Sequence, residues 1–514
     1  MQGTYFWKKA WDGKPLPRWE EARGLLPEPI LDSAPGAITA YDSAWQSCIR
    51  DLRSPAPGNG FVSNHLFVPF NDCIFAHDTA VMSVYGRYGM RCFDAAESFD
   101  NFYARQHETG EICREIRCSN GEDFWKKVPA DPVFVHYALG NRASGYEWTR
   151  PSVGTHPPGH VEIDGLNDPC ALLWGELSCY AVTADRERLR RILEPQKRWY
   201  DAFDVYLRDT NGLYITDWAS ADNHPRNDRL GYGIDVACQV VLFARLMARL
   251  CRICGDRGAR EYERKADALS RKIRDLMWNE QSGFFYDLDR AGKRMEIMSV
   301  AGFWPLMAGV ADRRQAAALV KHLHNPKEFD RPVLVPTLAA SEPAYTGLGS
   351  YYLGGVWPFT NLPVIEGLEA YGFGQEARRV AINFWQASVD VFKDTGKLWE
   401  YLMPEARKPG RTVGEDGWNS RAFTGWGAWA PISLLLEYAI GLRVNAPEGT
   451  LPWNLAETGR CGCRRLAFGD VVTDVVAEPR SDAEETPRLS LSTNKPYDLV
   501  VTWGNGRKKK IRVK

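Results

Sequence analysis

Helical periodicity is the feature that most constrains the fold of this chain. From about Ala34 to Val444, apolar residues recur every three to four positions in about a dozen segments, most of them joined by short connections. The segments are 37–51, 79–88, 95–105, 169–184, 186–207, 232–254, 259–277, 299–307, 313–323, 358–371, 375–392 and 424–440. This spacing places the apolar side chains on one face of each segment, so the sequence predicts a mainly α-helical protein.

Neighbouring helices differ in how apolar they are. Segment 232–254 is apolar on most sides, whereas the next segment, 260–277, is strongly charged on one face. This contrast is typical of antiparallel helix pairs arranged in a closed ring, an (α/α) toroid with apolar inner helices and amphipathic outer ones. An open solenoid is the alternative architecture, but no fixed repeat of about 20 to 50 residues is visible. We therefore predict the closed ring.

The sequence pattern changes after Pro447. Short segments rich in β-branched residues alternate with Gly, Pro, Asn and Asp, which predicts a small C-terminal antiparallel β module. We interpret its basic run, Lys508–Lys510, as a solvated strand edge, with a partner patch as the alternative. The sequence thus predicts an arm packed on the barrel at 1–33, a helical barrel at 34–445 and a β-sheet domain at 446–514.

Charge and apolar patterning argue against several partners. Lys and Arg number 64 against 65 Asp and Glu, so the net charge of −1 gives no basic field to attract nucleic acid or an anionic membrane. No signal-peptide core follows the first residues, and no run of about 18 apolar residues predicts a membrane span. The 12 cysteines are scattered, which favours reduced thiols and a cytoplasmic location. The oligomeric state stays open.

Two stretches carry carboxyl groups in settings typical of sugar binding. The stretch 218–226 holds Asp222 beside Asn223, and a second stretch far downstream holds Glu400 beside Trp399. Hydrolysis of a glycosidic bond requires one carboxyl group that protonates the leaving oxygen and another that activates water or attacks carbon. Asp222 suits the acid role because nearby Trp and Pro rings would desolvate it and keep it protonated. The alternatives are an Asx-turn or helix cap for Asp222 and an arginine-paired structural role for Glu400.

Further residues are candidates for binding the sugar. Asp78, His77, Asn223 and Arg226 are candidates for hydroxyl recognition. The candidate walls for stacking against a sugar ring are Trp218, Trp357, Trp399 and Trp426. Two glycines before Trp357 allow close backbone approach, and Pro358 after it suits the first turn of a helix. A plain connection between a loop and a helix would use the same residues.

Four motifs in a fixed order resemble those of the trehalase-like clan, which comprises glycoside hydrolase families 37 and 63 and the mannosylglycerate hydrolases. They are ADNHPR around Asp222, GGVWPFTN around Trp357, LWEYLMPE around Glu400 and FTGWGAW around Trp426. An earlier segment, FAHDT around Asp78, looks like the clan's motif for the innermost sugar. The resemblance implies an (α/α)6 barrel, inversion at the anomeric carbon, a general acid at Asp222 and a general base at Glu400.

We therefore predict an inverting glycosidase that acts on an α-linked glucoside or a related α-glycoside, with Asp222 and Glu400 about 6.5–9.5 Å apart. The sugar, the linkage and the choice between exo and endo cleavage stay open. So do two other functions: a sugar epimerase, which would use histidine pairs on the same kind of barrel, and a non-catalytic carbohydrate-binding protein. No cofactor is expected, because residues 156–164 lack the spacing of a zinc motif, although their carboxylates leave room for structural calcium.

Overall fold

The structure is a computed structural model that describes residues 9–69, 71–107, 110, 112–123, 169–206, 208–214, 225–228, 231–289, 291–411, 419–422 and 425–514. Within these ranges the chain is mainly helical. Its α-helices are α1 Trp19–Ala22, α2 Pro35–Asp51, α3 Ala76–Gly86, α4 Glu97–Ala104, α5 Ala171–Thr183, α6 Arg186–Tyr206, α7 Ile234–Cys254, α8 Ala259–Met277, α9 Trp304–Met307, α10 Arg313–Leu323, α11 Pro358–Ala370 and α12 Gly374–Thr395. A 3-10 turn, Gly425–Ala428, leads into a π-helix, Ala430–Ile440.

Local chemistry explains where several helices begin and end. Helix α10 starts after Asp312, whose side chain accepts a hydrogen bond from the backbone of Gln315 while the Gln315 side chain bonds back. Helix α7 ends at Gly255, which has a φ of 75°, a conformation that glycine adopts without strain. The predicted helix 299–307 is wrong in detail: Pro305 lies in the first turn of α9, so a 3-10 turn precedes a short helix.

Six elements contact one another in a continuous series. Helix α3 packs on α5, α5 on α7, α7 on α9 and α9 on α11. The 3-10 turn 425–428 then contacts both α11 and α3, which closes the series. Helices α6 and α8 pack on α7, and α12 packs on α11 and on the π-helix.

The contrast between α7 and α8 follows the apolar pattern of the sequence. Helix α7 is buried along most of its length, including Val240 and Phe243. Helix α8 buries one stripe that includes Tyr262, Ala266 and Ile273, while its other faces are charged. Among the described helices, none is long and apolar enough to cross a membrane. All twelve cysteines are thiols.

Two sheets form at the C-terminal end of the chain. The strands of the described part are β1 Glu28–Leu31, β2 Cys73–Phe75, β3 Glu115–Arg117, β4 Gly231–Tyr232, β5 Trp278–Asn279, β6 Phe284–Phe285, β7 Asp287–Asp289, β8 Arg294–Met295, β9 Thr450–Leu455, β10 Cys461–Phe468, β11 Val471–Ala477, β12 Leu489–Thr493, β13 Tyr497–Trp503 and β14 Arg507–Val513. One sheet has the antiparallel order β1-β10-β11-β12, and the other has the order β14-β13-β9.

The expectation of a purely antiparallel module is wrong in one pairing. Strands β9 and β13 run parallel, with Trp453 opposite Val501. The residues between these strands form β10, β11 and β12, which provide the long crossover that a parallel pair requires. Strand β14 is an edge of its sheet, and Lys508–Lys510 on it are exposed.

The N-terminal arm has a role that the sequence does not reveal. Strand β1 belongs to the C-terminal sheet, with Glu28 opposite Arg464 and Leu31 opposite Cys461. Beside this strand, the hydroxyl of Tyr41 on α2 donates to the carbonyl of Pro27 at 2.7 Å. The arm therefore joins the helical part to the C-terminal sheet.

Candidate functional site

Glu400 lies in a short extended segment after α12, and its backbone is fixed on both sides. Its amide donates to the carbonyl of Arg421 at 3.0 Å, and the indole Nε1 of Trp426 donates to its carbonyl at 2.9 Å. The amide of Arg421 also donates to the carboxylate Oε2 of Glu400 at 3.3 Å. Glu400 is 7% exposed. A buried carboxylate with so many fixed neighbours has a defined direction, as a general base requires.

A cluster of aromatic rings lies against Glu400. Its members are His77, Tyr351, Tyr352, Trp357, Phe359, Tyr401 and Trp426. Phe359 lies at the middle, with its ring centroid 5.3 Å from that of His77 and 5.4 Å from that of Trp426. His77 precedes Asp78 in the sequence, and Trp426 bonds to Glu400. The aromatic cluster therefore connects the surroundings of Asp78 with those of Glu400.

Asp78 lies in the first turn of α3, next to a second carboxyl group. Strands β2 and β3 pair Phe75 with Glu115, which brings the buried Glu115 beside the start of this helix. Burial raises the pKa of Asp78 to about 7, and the Glu115 carboxylate adds to this while His77 opposes it. Near neutral pH Asp78 therefore exists in both protonation states, so it both donates and accepts hydrogen bonds.

The predicted stacking role of Trp357 and Trp426 is wrong in this structure. Trp357 is 1% exposed and packs against the rings of Tyr352 and Tyr401, with centroids 5.0 and 4.4 Å away. Trp426 is 5% exposed, and its indole N–H is used by Glu400. Neighbouring side chains cover both rings, so neither ring has a free face on which a sugar could stack. Both rings instead pack against other members of the aromatic cluster.

The partly exposed rings of the cluster are His77, Tyr351 and Phe359. Tyr351 has a φ of 56°, which is strained for a residue with a side chain and typical of functional sites. Tyr351 and Phe359 both flank Trp357 in the sequence, within the same aromatic stretch. Sequence reasoning missed Tyr351 and Phe359 because it favoured tryptophan. Only the packing of the folded chain decides which ring of such a stretch stays exposed.

Trp399 is anchored through its indole to the last residue of α12. Its indole Nε1 donates to the hydroxyl of Thr395 at 2.9 Å, and its ring lines a small cavity with Tyr401 and Phe384. Trp399 is partly exposed, and its predicted stacking on the sugar beside Glu400 stays a prediction.

Arg226 is an anchor in a buried ion cluster. Its guanidinium binds Asp235 through Nη1 and Nη2 at 2.9 Å each, and Asp287 through Nε and Nη2 at 2.7 and 2.5 Å. The side chain is 3% exposed. These contacts contradict the prediction that Arg226 binds sugar hydroxyls, because two carboxylates occupy its donors. They fix the short 3-10 turn Pro225–Asp228 to α7 and β7.

Asp222, Asn223 and Trp218 lie outside the described residues, so their predicted roles stay predictions. The same holds for residues 156–164. In the described part of the chain, no group of three or more His, Cys, Asp or Glu residues could hold a metal ion. Three of the described histidines pair with carboxylates: His107 with Asp123, His322 with Glu328 and His324 with Glu376.

The model of the family described as mannosylglycerate hydrolase MGH1-like glycoside hydrolase domain matches residues 147–424, more than half of the chain. The chain belongs to this family of glycoside hydrolases, within the trehalase-like clan.

Individual proteins show the same relationship. A protein of Borreliella burgdorferi is 28% identical over 352 residues, covering 66% of this chain and 73% of that protein. A mannosylglycerate hydrolase of Thermus thermophilus is 32% identical over 107 residues, 21% of this chain and 25% of that enzyme. The crystal structure of a GH63 mannosylglycerate hydrolase from Thermus thermophilus in complex with glucose has a TM-score of 0.53 at 18% identity. That comparison covers 77% of this chain and 99% of the solved one, and it shows a shared fold.

Proposed function

We propose that this protein is an inverting glycoside hydrolase that cleaves an α-linked glucoside or a related α-glycoside. Asp222 is the general acid and Glu400 the general base. The observation that carries the proposal is the fixed, buried carboxylate of Glu400, which the aromatic cluster links to the surroundings of Asp78.

The proposed reaction needs two carboxyl groups and one water molecule. Asp222 gives its proton to the glycosidic oxygen as the bond from that oxygen to the anomeric carbon breaks. Water attacks the opposite face of the anomeric carbon and gives a proton to Glu400. The products are the aglycone alcohol and a sugar of inverted configuration. Proton exchange with solvent then restores the protonated Asp222 and the ionised Glu400.

The helix contacts support the predicted (α/α)6 toroid. The closed series of α3, α5, α7, α9, α11 and the elements at 425–440 gives six inner members, and α2, α6, α8 and α12 pack outside them. In this arrangement the starts of α3 and α11, which carry Asp78 and Phe359, open on the same end as Glu400. The substrate would bind at that end.

The site favours a small glycoside with one well-held sugar. Phe359 and Tyr351 offer flat surfaces for the apolar face of a pyranose ring, and Asp78 offers hydrogen bonds to its hydroxyls. The name of the Thermus relative, a mannosylglycerate hydrolase, supports α-mannosides as well as α-glucosides as test substrates.

Proton NMR of the purified protein with a panel of α-linked glucosides and mannosides tests the proposal. The β-anomer of the released sugar should appear first, and Asp222→Asn and Glu400→Gln should each abolish its release. The matched control is Glu369→Gln. The Glu369 carboxylate accepts a 2.8 Å hydrogen bond from Arg443, and this pair lies away from the aromatic cluster. Release of the α-anomer would overturn the inverting mechanism, and an inert wild type across the panel would overturn the hydrolase proposal.

A further inference from the structure

Backbone hydrogen bonds and one side-chain hydroxyl group hold the segment next to the proposed base. Ser420 accepts a hydrogen bond from the amide of Tyr401 at 3.1 Å and donates one to the carbonyl of Tyr401 at 2.8 Å. Its own amide donates to the carbonyl of Gly410 at 3.0 Å. Ser420 is 7% exposed and Tyr401 is fully buried, so water does not replace these bonds easily.

This reciprocal pair is one of the contacts that position the next residue, Arg421. With Ser420 fixed beside Tyr401, the backbone of Arg421 lies beside Glu400 in an antiparallel arrangement. There it accepts from the Glu400 amide and donates to carboxylate Oε2. An amide that donates to a carboxylate oxygen restricts rotation of the carboxylate, which leaves the other oxygen, Oε1, with a defined direction.

We propose that Ser420 is a positioning residue for the general base: its hydroxyl fixes the Arg421 amide on Glu400 and so aligns the carboxylate with the attacking water. This inference rests on the proposed function of Glu400. A displacement of about 1 Å between reacting groups costs roughly 100-fold in rate, so a single positioning hydroxyl has a measurable kinetic effect.

The test uses a substrate that isolates the base from the acid. An α-glycosyl fluoride loses fluoride without protonation, so its hydrolysis needs Glu400 and does not need Asp222. Water bonds to the anomeric carbon, the carbon–fluorine bond breaks, and the proton from water goes to Glu400. We would measure kcat and KM for α-glucosyl and α-mannosyl fluoride with the wild type, Ser420→Ala, Ser420→Thr and Asp222→Asn.

For Ser420→Ala we expect kcat to fall roughly 10- to 100-fold while KM stays within about twofold. Ser420→Thr retains the hydroxyl and should stay within about fivefold of the wild type. Asp222→Asn should keep most of its activity on the fluoride. Ser270→Ala is the matched control, because Ser270 is also buried and donates to a backbone carbonyl, at 2.7 Å, within α8.

The outcomes separate this inference from the proposed function. An active wild type with an unchanged kcat in Ser420→Ala would overturn the positioning role. An equal fall of kcat in Ser420→Ala and Ser420→Thr would also overturn it. A rise of KM in Ser420→Ala without a fall of kcat would do the same. The melting temperature and circular dichroism of each variant give the folded fraction by which kcat is normalised. A wild type inert on both fluorides and on the panel of glycosides would instead overturn the hydrolase assignment itself.

Discussion

The indole of Trp426 holds Glu400 at its carbonyl, through a 2.9 Å hydrogen bond from Nε1, while Arg421 holds it at its amide. Trp426 also packs on Phe359, with centroids 5.4 Å apart. One buried side chain therefore sets both the position of the proposed base and that of a partly exposed ring in front of it.

Removal of this N–H should reduce catalysis more than stability. Trp426→Phe keeps most of the ring and loses the bond, so we expect kcat to fall about tenfold and the free energy of unfolding to fall by about 1 kcal/mol. The matched control is Trp453→Phe, because the Trp453 indole donates to the carbonyl of Ile440, also at 2.9 Å, away from the aromatic cluster. Kinetics and urea denaturation of both variants check this. An equal loss of kcat in both would contradict it.

Arg226→Met should destabilise the protein strongly. The change leaves the carboxylates of Asp235 and Asp287 buried without their cation, which costs about 3–5 kcal/mol of unfolding free energy. Arg314→Met removes an arginine that pairs with Glu280 on the surface, where both side chains are more than 60% exposed, and should lower the free energy of unfolding far less. Urea denaturation at constant pH measures both changes. Similar losses of unfolding free energy in the two variants would show that Asp235 and Asp287 do not need Arg226 as their buried cation.

Glu366 should make stability depend on pH. Burial raises its pKa to about 7, against the effects of Arg87 and of the hydrogen bond from Trp174. Because the folded pKa lies above the unfolded value of 4.5, the stabilisation from this group is complete below about pH 4.5 and is lost as the pH rises through about 7. Glu366→Gln stays neutral and still accepts from the indole.

We therefore expect Glu366→Gln to equal the wild type near pH 4 and to exceed it by about 1–3 kcal/mol at pH 8. Urea denaturation at the two pH values measures the difference in unfolding free energy between the variant and the wild type. The other titrating groups are the same in both proteins, so their contributions cancel. A difference that shrinks as the pH rises would contradict the predicted sign.

Phe359 should contribute to substrate binding. Phe359→Leu keeps an apolar side chain and removes the flat ring, so we expect kcat/KM to fall about tenfold, mainly through KM. Phe468→Leu, a buried change in the C-terminal sheet beside Tyr497, should lower stability and leave KM unchanged. Steady-state kinetics on the best substrate of the panel test this. An unaffected KM in Phe359→Leu would exclude its ring from the sugar site.

The sequence predicted what depends on local pattern. The apolar period identified α7 and α10 closely, and the ordered motifs identified the family to which the chain belongs. The surroundings of Glu400 follow from contacts between residues distant in the sequence, such as the bond from Trp426, and those are not encoded in any local pattern. For the same reason the sequence could not distinguish a tryptophan that is packed on all sides, such as Trp357, from one that keeps an exposed face.

Strand pairing shows the same limit. The β-branched segments after Pro447 were sufficient to predict strands, but their order depends on which edges remain unpaired when the sheets form. The parallel pairing of β9 with β13 and the insertion of β1 both connect segments far apart in the chain. Ser420 was missed for a related reason, because a single serine in a polar loop carries no signal until its partner on Tyr401 is known.

The pairing of β1 with β10 has a consequence for biosynthesis. During translation, residues 28–31 emerge early, and their partners at 461–464 emerge only after nearly all of the helices. At about 5–20 residues per second this delay lasts tens of seconds, during which β1 exposes an unpaired edge on the nascent chain. Truncated chains that stop before β10 would keep this edge open, so they are the species that chaperones and proteases would meet first.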